Sequence, residues 1–373
     1  MIQTIFVYSS VLFILFMLAR IAMLRAKNNV HQIYPNRVRF CTWEIRMFIL
    51  VFMIFYGIRY DVGKDYLNYL EVYQTHDGIE RFEPAFFFIT NTLSNCGVHY
   101  TFYFAILAFI QIFFVLYSIK DERYLFPFFA ITLIMGQFFW HWMNGIRQDV
   151  AACIYVFAVN FIVERKPFKF LLCILLAIGF HKSSILLLPT YFLLYKGKDW
   201  TYNRALQLSL LWVVGYLAII KFDVLTRFFP VIETFTELMG FEVYSADVLQ
   251  KYGDLTKSGM SLYAFLVIDT FIVLYSDKLK AYYNSKKFTV YYNLYYWGML
   301  LQLFLINNMV LARPVRFFRC FKLLMIAYFL YYLYKHPKPQ INTMSFFIIL
   351  GFLAILYAAI ISNEPYFFFW SAR

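Results

Sequence analysis

The run FKFLLCILLAIGFHKSSILLLPTYFLLYK, residues 168–196, decides the architecture. On either side of one polar break it is built almost wholly from Leu, Ile, Phe and Tyr. The break is His181-Lys182-Ser183-Ser184, with Gly179 before it and Pro189 after it. A membrane span needs about 20 mostly apolar residues to cross roughly 30 Å of hydrocarbon. The run therefore reads as two short helices meeting at a polar turn.

The same pattern recurs along the chain. Apolar spans are predicted near 4–24, 43–58, 101–119, 124–142, 146–163, 206–221, 261–277, 288–307, 318–334 and 343–361. With the two short helices this gives twelve crossings, within a range of ten to twelve. The expected fold class is an all-α polytopic integral membrane protein. Residues 1–373 form one transmembrane domain with no soluble domain. The first span is not a signal peptide, because its apolar run is too long and Arg20 and Arg25 follow it.

Composition agrees. Of 373 residues, 62% are hydrophobic and 15% charged, against about 45–50% and about 25% in soluble domains. A chain with 46 Phe and 32 Tyr cannot hide that surface in one globular core of its size. This excludes a soluble enzyme, a disordered regulator and a secreted disulfide scaffold. The five Cys show no CxxC pair, so no zinc site is expected. No Walker or dinucleotide-binding glycine pattern is present.

The net charge of +13 does not point to nucleic acid. Polytopic membrane proteins collect Lys and Arg in cytoplasmic loops. The loops 20–46, 120–123, 164–169, 196–204, 278–287 and 335–338 hold 20 of the 34 Lys and Arg. That places them in the cytoplasm and both termini outside. Two long segments, 59–100 and 222–260, then fall on the outer face with several polar turns.

Ionisable residues at membrane depth are costly, so each is a functional hypothesis. Five clusters fall on the outer side. In the first, Asp61, Lys64, Asp65 and Asn68 share a face if the segment is helical. Arg59 precedes them, and Tyr66 and Tyr69 offer aromatic surfaces for sugars. The alternative is an interfacial helix in an aromatic belt. The second is Arg81-Phe82-Glu83-Pro84, where Glu83 favours the dipole of a helix opened by Pro84. The third is Asn144, Arg147 and Gln148 on one helical face, suited to phosphate or glycan oxygens or to plain helix packing. The fourth is His181 and Lys182. A neutral His181 can take a proton from an attacking hydroxyl, and a hydrogen-bonded kink is its rival. The fifth is Arg313, Arg316 and Arg319 around Pro314. In an α-helix, steps of three spread them over roughly 120°, a cradle for a polyanion.

At these positions the chain resembles the EpsG family of bacterial membrane proteins. The matching pieces are Gly63, Asp65, Tyr66 and Tyr69; Glu83-Pro84; Asn144, Arg147 and Gln148; Phe180, His181 and Ser183; and the late Arg cluster. They keep the family's order over about residues 56–330. The family is similar to Wzy-type polymerases, to O-antigen ligases and, broadly, to GT-C glycosyltransferases.

The resemblance implies an enzyme of the bacterial cytoplasmic membrane with its site facing outward. It would join undecaprenyl-pyrophosphate-linked oligosaccharide units by a metal-independent, inverting transfer. No cofactor, metal or nucleic acid is expected. Partners are the lipid-linked donor and acceptor, membrane lipids and a chain-length regulator. In this reading Asp65, His181, Glu83 and Arg147 are catalytic. Arg59, Lys64, Tyr66, Tyr69, Asn144, Gln148, Lys182, Arg313, Arg316 and Arg319 bind substrate. The rival readings are a flippase or exporter of the same glycan, a membrane O-acyltransferase and a non-enzymatic scaffold.

Overall fold

A computed structural model describes residues 2–29, 40–63, 65–220, 259–308, 311–362 and 366–371. Lys64 and nearly all of the 222–260 segment lie outside the described residues. The described chain is all-α with one short ladder. Its helices are α1 (Ile2–Asn29), α2 (Trp43–Gly57), α3 (Tyr66–Thr75), α4 (Pro84–Asn95), α5 (Tyr100–Ser118), α6 (Phe126–Met135), α7 (Phe138–Asn144), α8 (Ile146–Val163), α9 (Pro167–Phe180) and α10 (Thr190–Leu194). They continue as α11 (Arg204–Ile219), α12 (Met260–Leu274), α13 (Ser276–Tyr283), α14 (Lys286–Leu305), α15 (Arg319–Lys335) and α16 (Pro339–Ser362). Strand β1 (Arg59–Tyr60) pairs antiparallel with β2 (Phe367–Phe368).

The helices are apolar on both faces, as a membrane protein requires. In α1, Val7, Val11, Leu15, Ala19 and Ala22 are buried, whereas Ile2, Phe6, Phe13 and Met17 stand exposed. The first set is spaced by three or four residues and packs on α2 and α6. The second is left for lipid. Helix α8 lies at the centre, packed on α5 and α9, and Val150 to Val156 are all fully buried.

Twelve crossings are not reached by helix length. Among the described residues four helices are long and apolar enough to cross a membrane, Ile2–Ala26, Tyr100–Ser118, Ile146–Val163 and Pro314–Lys335. The number rises to six if two bent pairs each count as one span. The reason is that several apolar stretches fold as short or broken helices. The 14 residues of α9 rise about 21 Å, short of roughly 30 Å. Between α6 and α7 the axis bends by 63° at Gly136 and Gln137, where Gln137 is left-handed at φ 64°.

The run at 168–196 does break at His181. Helix α9 ends there, His181 is extended, and a 3-10 turn, Lys182–Leu187, leads to α10.

The two ends of the bundle differ. At one end basic residues are paired: Arg25 with Glu44 at 3.2 Å, Lys280 with Asp199 at 2.8 Å, Lys287 with Glu122 at 2.5 Å. These residues come from the basic loops read in the sequence. The other end gathers the turns after α2, before α4, between α7 and α8, after α9 and before α15. That end carries the candidate site.

Candidate functional site

The base of the site is an aromatic cage around Arg59. Its guanidinium lies 4.0 Å from the Tyr56 ring centre, 5.1 Å from Phe104 and 5.3 Å from Tyr66. It donates to Tyr56 O at 3.2 Å and to Met143 O at 3.1 Å. The Tyr66 hydroxyl donates to Arg59 O at 3.0 Å, and its ring stacks on Phe104. Arg59 and Tyr66 are wholly buried. The structure thus places both, expected to touch substrate, inside the packed core. A delocalised cation between rings, donating to two carbonyls, stitches the end of α2 to the end of α7.

The segment after Arg59 is not a helix from Asp61 onward. Asp61 has φ 49° and Gly63 φ 104°, and a Cβ at Gly63 would collide with Asn144 Oδ1. Helix α3 starts only at Tyr66, so Asp61, Asp65 and Asn68 do not share one helical face. Asp65 stands exposed just before the helix. Within α3 the buried face is Tyr66, Tyr69, Leu70 and Tyr73. Tyr69, expected to face a sugar, is buried with this face. The ring packs between Phe82 and Phe86, and its hydroxyl faces Arg147.

Four elements converge on Arg147, at the start of α8. Its Nη1 lies 2.6 Å from Glu83 Oε2, with side chains 27% and 12% exposed. Glu83 Oε1 accepts the Lys182 backbone N–H at 3.1 Å, and the guanidinium lies over Phe82 at 4.9 Å. Glu83 precedes Pro84 at the start of α4 as expected, but its side chain makes no capping hydrogen bond. It spends both oxygens across the bundle, joining the starts of α4 and α8 to the turn after α9. The backbone N–H of Lys182 makes that contact.

His181 Nδ1 pairs with Ser183 Oγ at 2.7 Å, and the ring stands edge-on to Phe317, 6.2 Å between centres. Burial, together with the Arg147, Arg313 and Arg316 charges and against the pull of Glu83, holds its pKa down to about 4. The ring in this turn is thus neutral near pH 7.

The arginine trio is more compact than expected. Pro314–Phe318 is a 3-10 turn, and α15 begins at Arg319. Residues three apart eclipse in that geometry, so Arg313 and Arg316 line up along one side instead of fanning out. Gln148 Nε2 donates to Arg313 O, fixing the turn to α8. A Cβ at Gly145 would lie 3.0 Å from Asp149 Oδ2 and 3.5 Å from Arg316 Nη1.

Asp149, 2% exposed, was not among the residues singled out from sequence. Arg316 and Arg319 are the charges that act on it. Its signal was an acid one turn inside an apolar helix, four residues after Gly145. Next to Arg147 and Gln148 it was passed over.

The cluster carries Arg147, Arg313, Arg316 and Arg319 against Glu83 and Asp149. The Nε atoms of Arg147, Arg316 and Arg319, like that of Arg59 in its cage, are buried without a hydrogen-bond partner among the described residues. Buried donors are rarely left this way. An arrangement with excess guanidinium charge and open donors suits a polyanion.

Comparison with curated proteins and with solved structures finds no match. The EpsG family model matches residues 43–371, a range that takes in every part of the cluster. With an apolar helical bundle around it, this multi-pass membrane protein belongs to the EpsG family, a membership that suggests a polysaccharide polymerase-like protein acting on lipid-linked saccharides.

Proposed function

We propose that the chain is a Wzy-type polysaccharide polymerase, joining undecaprenyl-pyrophosphate-linked repeat units on the outer face of the bacterial cytoplasmic membrane. The observation that carries this reading is the cluster of four arginines, three with buried Nε–H groups that have no hydrogen-bond partner among the described residues. A departing lipid pyrophosphate develops negative charge, and preorganised cations stabilise it without a metal.

In the transfer, the acceptor hydroxyl oxygen forms a bond to the anomeric carbon of the donor sugar. The bond from that carbon to the pyrophosphate oxygen breaks, and its electron pair leaves with the pyrophosphate. The hydroxyl proton passes to a base. His181 is that base, because it is neutral near pH 7 and its ring is oriented by Ser183. A pyrophosphate bound among the arginines offsets their part of the depression, burial being the larger part, and so strengthens the base as substrate arrives. Asp65, exposed at the rim, is the second candidate. Glu83 is committed to Arg147 and Lys182, and in this reading it orients Arg147.

The test is a polymerisation assay on purified protein with a lipid-linked repeat unit and EDTA. Wild type extends the units, and Arg316→Ala and His181→Ala do not. Loss in Asp65→Asn with full activity in His181→Ala would move the base to Asp65. Units left unextended but moved across a vesicle bilayer would overturn the reading in favour of a transporter.

A further inference from the structure

A cavity with several polar groups in its lining lies beside the cluster. It holds about 220 Å³ and is lined by Gln137 and His141 at the α6–α7 bend, Asp269 of α12, Gln302 of α14, and Arg319 and Lys322 of α15. Glu83, Arg147, His181 and Arg316 do not line it. Arg319 is the group shared by the two sites.

The floor is neutralised. Lys322 Nζ lies 2.6 Å from Asp269 Oδ2, and the Tyr295 hydroxyl donates to Asp269 Oδ1 at 2.9 Å. Asp269 lies nine residues along α12 from Met260, about 14 Å down its axis. Ionisable groups at such depth are kept when paired or functional, and these are paired. The walls differ. Neither the His141 ring nor the Gln302 amide is used in a side-chain hydrogen bond among the described residues. Phe265 also lines the cavity, with the Lys322 ammonium 4.3 Å from its ring centre, and the Gln137 amide donates to Ile355 O at 2.7 Å.

Liquid water occupies about 30 Å³ per molecule, so the space suits about seven waters or one six-membered sugar ring. It is smaller than the roughly 300–1,000 Å³ of drug-sized sites. A bare anion is a poor match, because Lys322 is already neutralised. A polyhydroxyl ring fits the amide and imidazole groups, with Arg319 left for an attached phosphate.

We infer that this cavity is a saccharide subsite, seating one sugar ring of a lipid-linked glycan while Arg319 joins it to the phosphate held by the arginine cluster. The inference rests on the polymerase reading and extends it.

Binding tests it without turnover. The protein is placed in nanodiscs with two probes: the lipid-linked repeat unit extracted from source cells that lack this chain, and farnesyl pyrophosphate, which carries no sugar. Wild type prefers the sugar-bearing probe by about tenfold or more. Gln302→Leu, and Leu262→Trp which fills the cavity, abolish the preference and keep the farnesyl pyrophosphate affinity, which also shows that the variants are folded. A preference unchanged in both variants, or absent in wild type, overturns the subsite. The two readings fail separately. A protein that never polymerises, yet loses its sugar preference in the variants, keeps the subsite and discards the polymerase. Polymerisation with a preference the variants leave intact does the reverse.

Discussion

Replacing Glu83 by Gln tests whether this carboxylate acts through Arg147. The wild-type carboxylate accepts from Arg147 Nη1 at 2.6 Å and from the Lys182 N–H at 3.1 Å. Both partners donate. The amide has one acceptor and one donor, so one of the two contacts becomes donor against donor. A hydrogen bond to a charged group contributes about 1.5–3 kcal/mol, and the side chains, 12% and 27% exposed, are shielded enough for most of that to survive screening. If Arg147 drifts from the developing charge, the loss resembles that of one oxyanion donor, about 10²–10³ in kcat.

The assay is a double-mutant cycle of Glu83→Gln, Arg147→Met and the pair, read as initial polymerisation rate on purified protein. Groups acting as one unit are strongly non-additive, so the double variant should be no slower than Arg147→Met. Additive losses would refute the argument and make Glu83 an independent catalytic group.

Arg316→Lys keeps a charge but loses the planar fork, and should still cost about 10²–10³ in rate, checked in the same assay; near-wild-type rates would reduce Arg316 to a point charge. For His181, with its pKa about 4 in the fold against about 6.5 when unfolded, the unfolded chain binds more protons between those values. Its contribution to stability is therefore present above pH 6.5 and lost as pH falls towards 4. Thermal melts from pH 7 to 4 should show this slope in wild type and less of it in His181→Asn. Arg59→Ala leaves the Tyr56 and Met143 carbonyls without their donor, at roughly 1–3 kcal/mol each. Its melting temperature should fall clearly, and a loss of rate without loss of stability would return Arg59 to the substrate.

Glu83, Arg147, His181 and the arginine trio were legible because each interrupts or borders an apolar run, where a charge needs a reason to be. That they meet was not legible, since the contacts join residues 64 to 165 positions apart. The burial of Arg59 and Tyr66 was not legible, because an arginine after a span looks the same whether it meets a ligand or closes an aromatic cage. The helix expected from Asp61 failed at the left-handed Asp61 and Gly63, and the glycine was the available hint. Asp149 was hidden by its more conspicuous neighbours. Among the described residues fewer helices reach full spanning length than there are apolar stretches, because hydropathy reports that a segment is greasy, not that its helix is long and straight.

The shortness of α9, about 21 Å for its 14 residues, has a consequence for the surrounding lipid. A hydrophobic stretch shorter than the bilayer is accommodated by thinning, at a modest cost per ångström. The membrane should therefore dimple beside His181. On the polymerase reading proposed above, a lipid-linked saccharide arriving there would have its headgroup lowered towards the arginines by the bilayer itself, and acyl-chain length in the membrane would act as a control on rate.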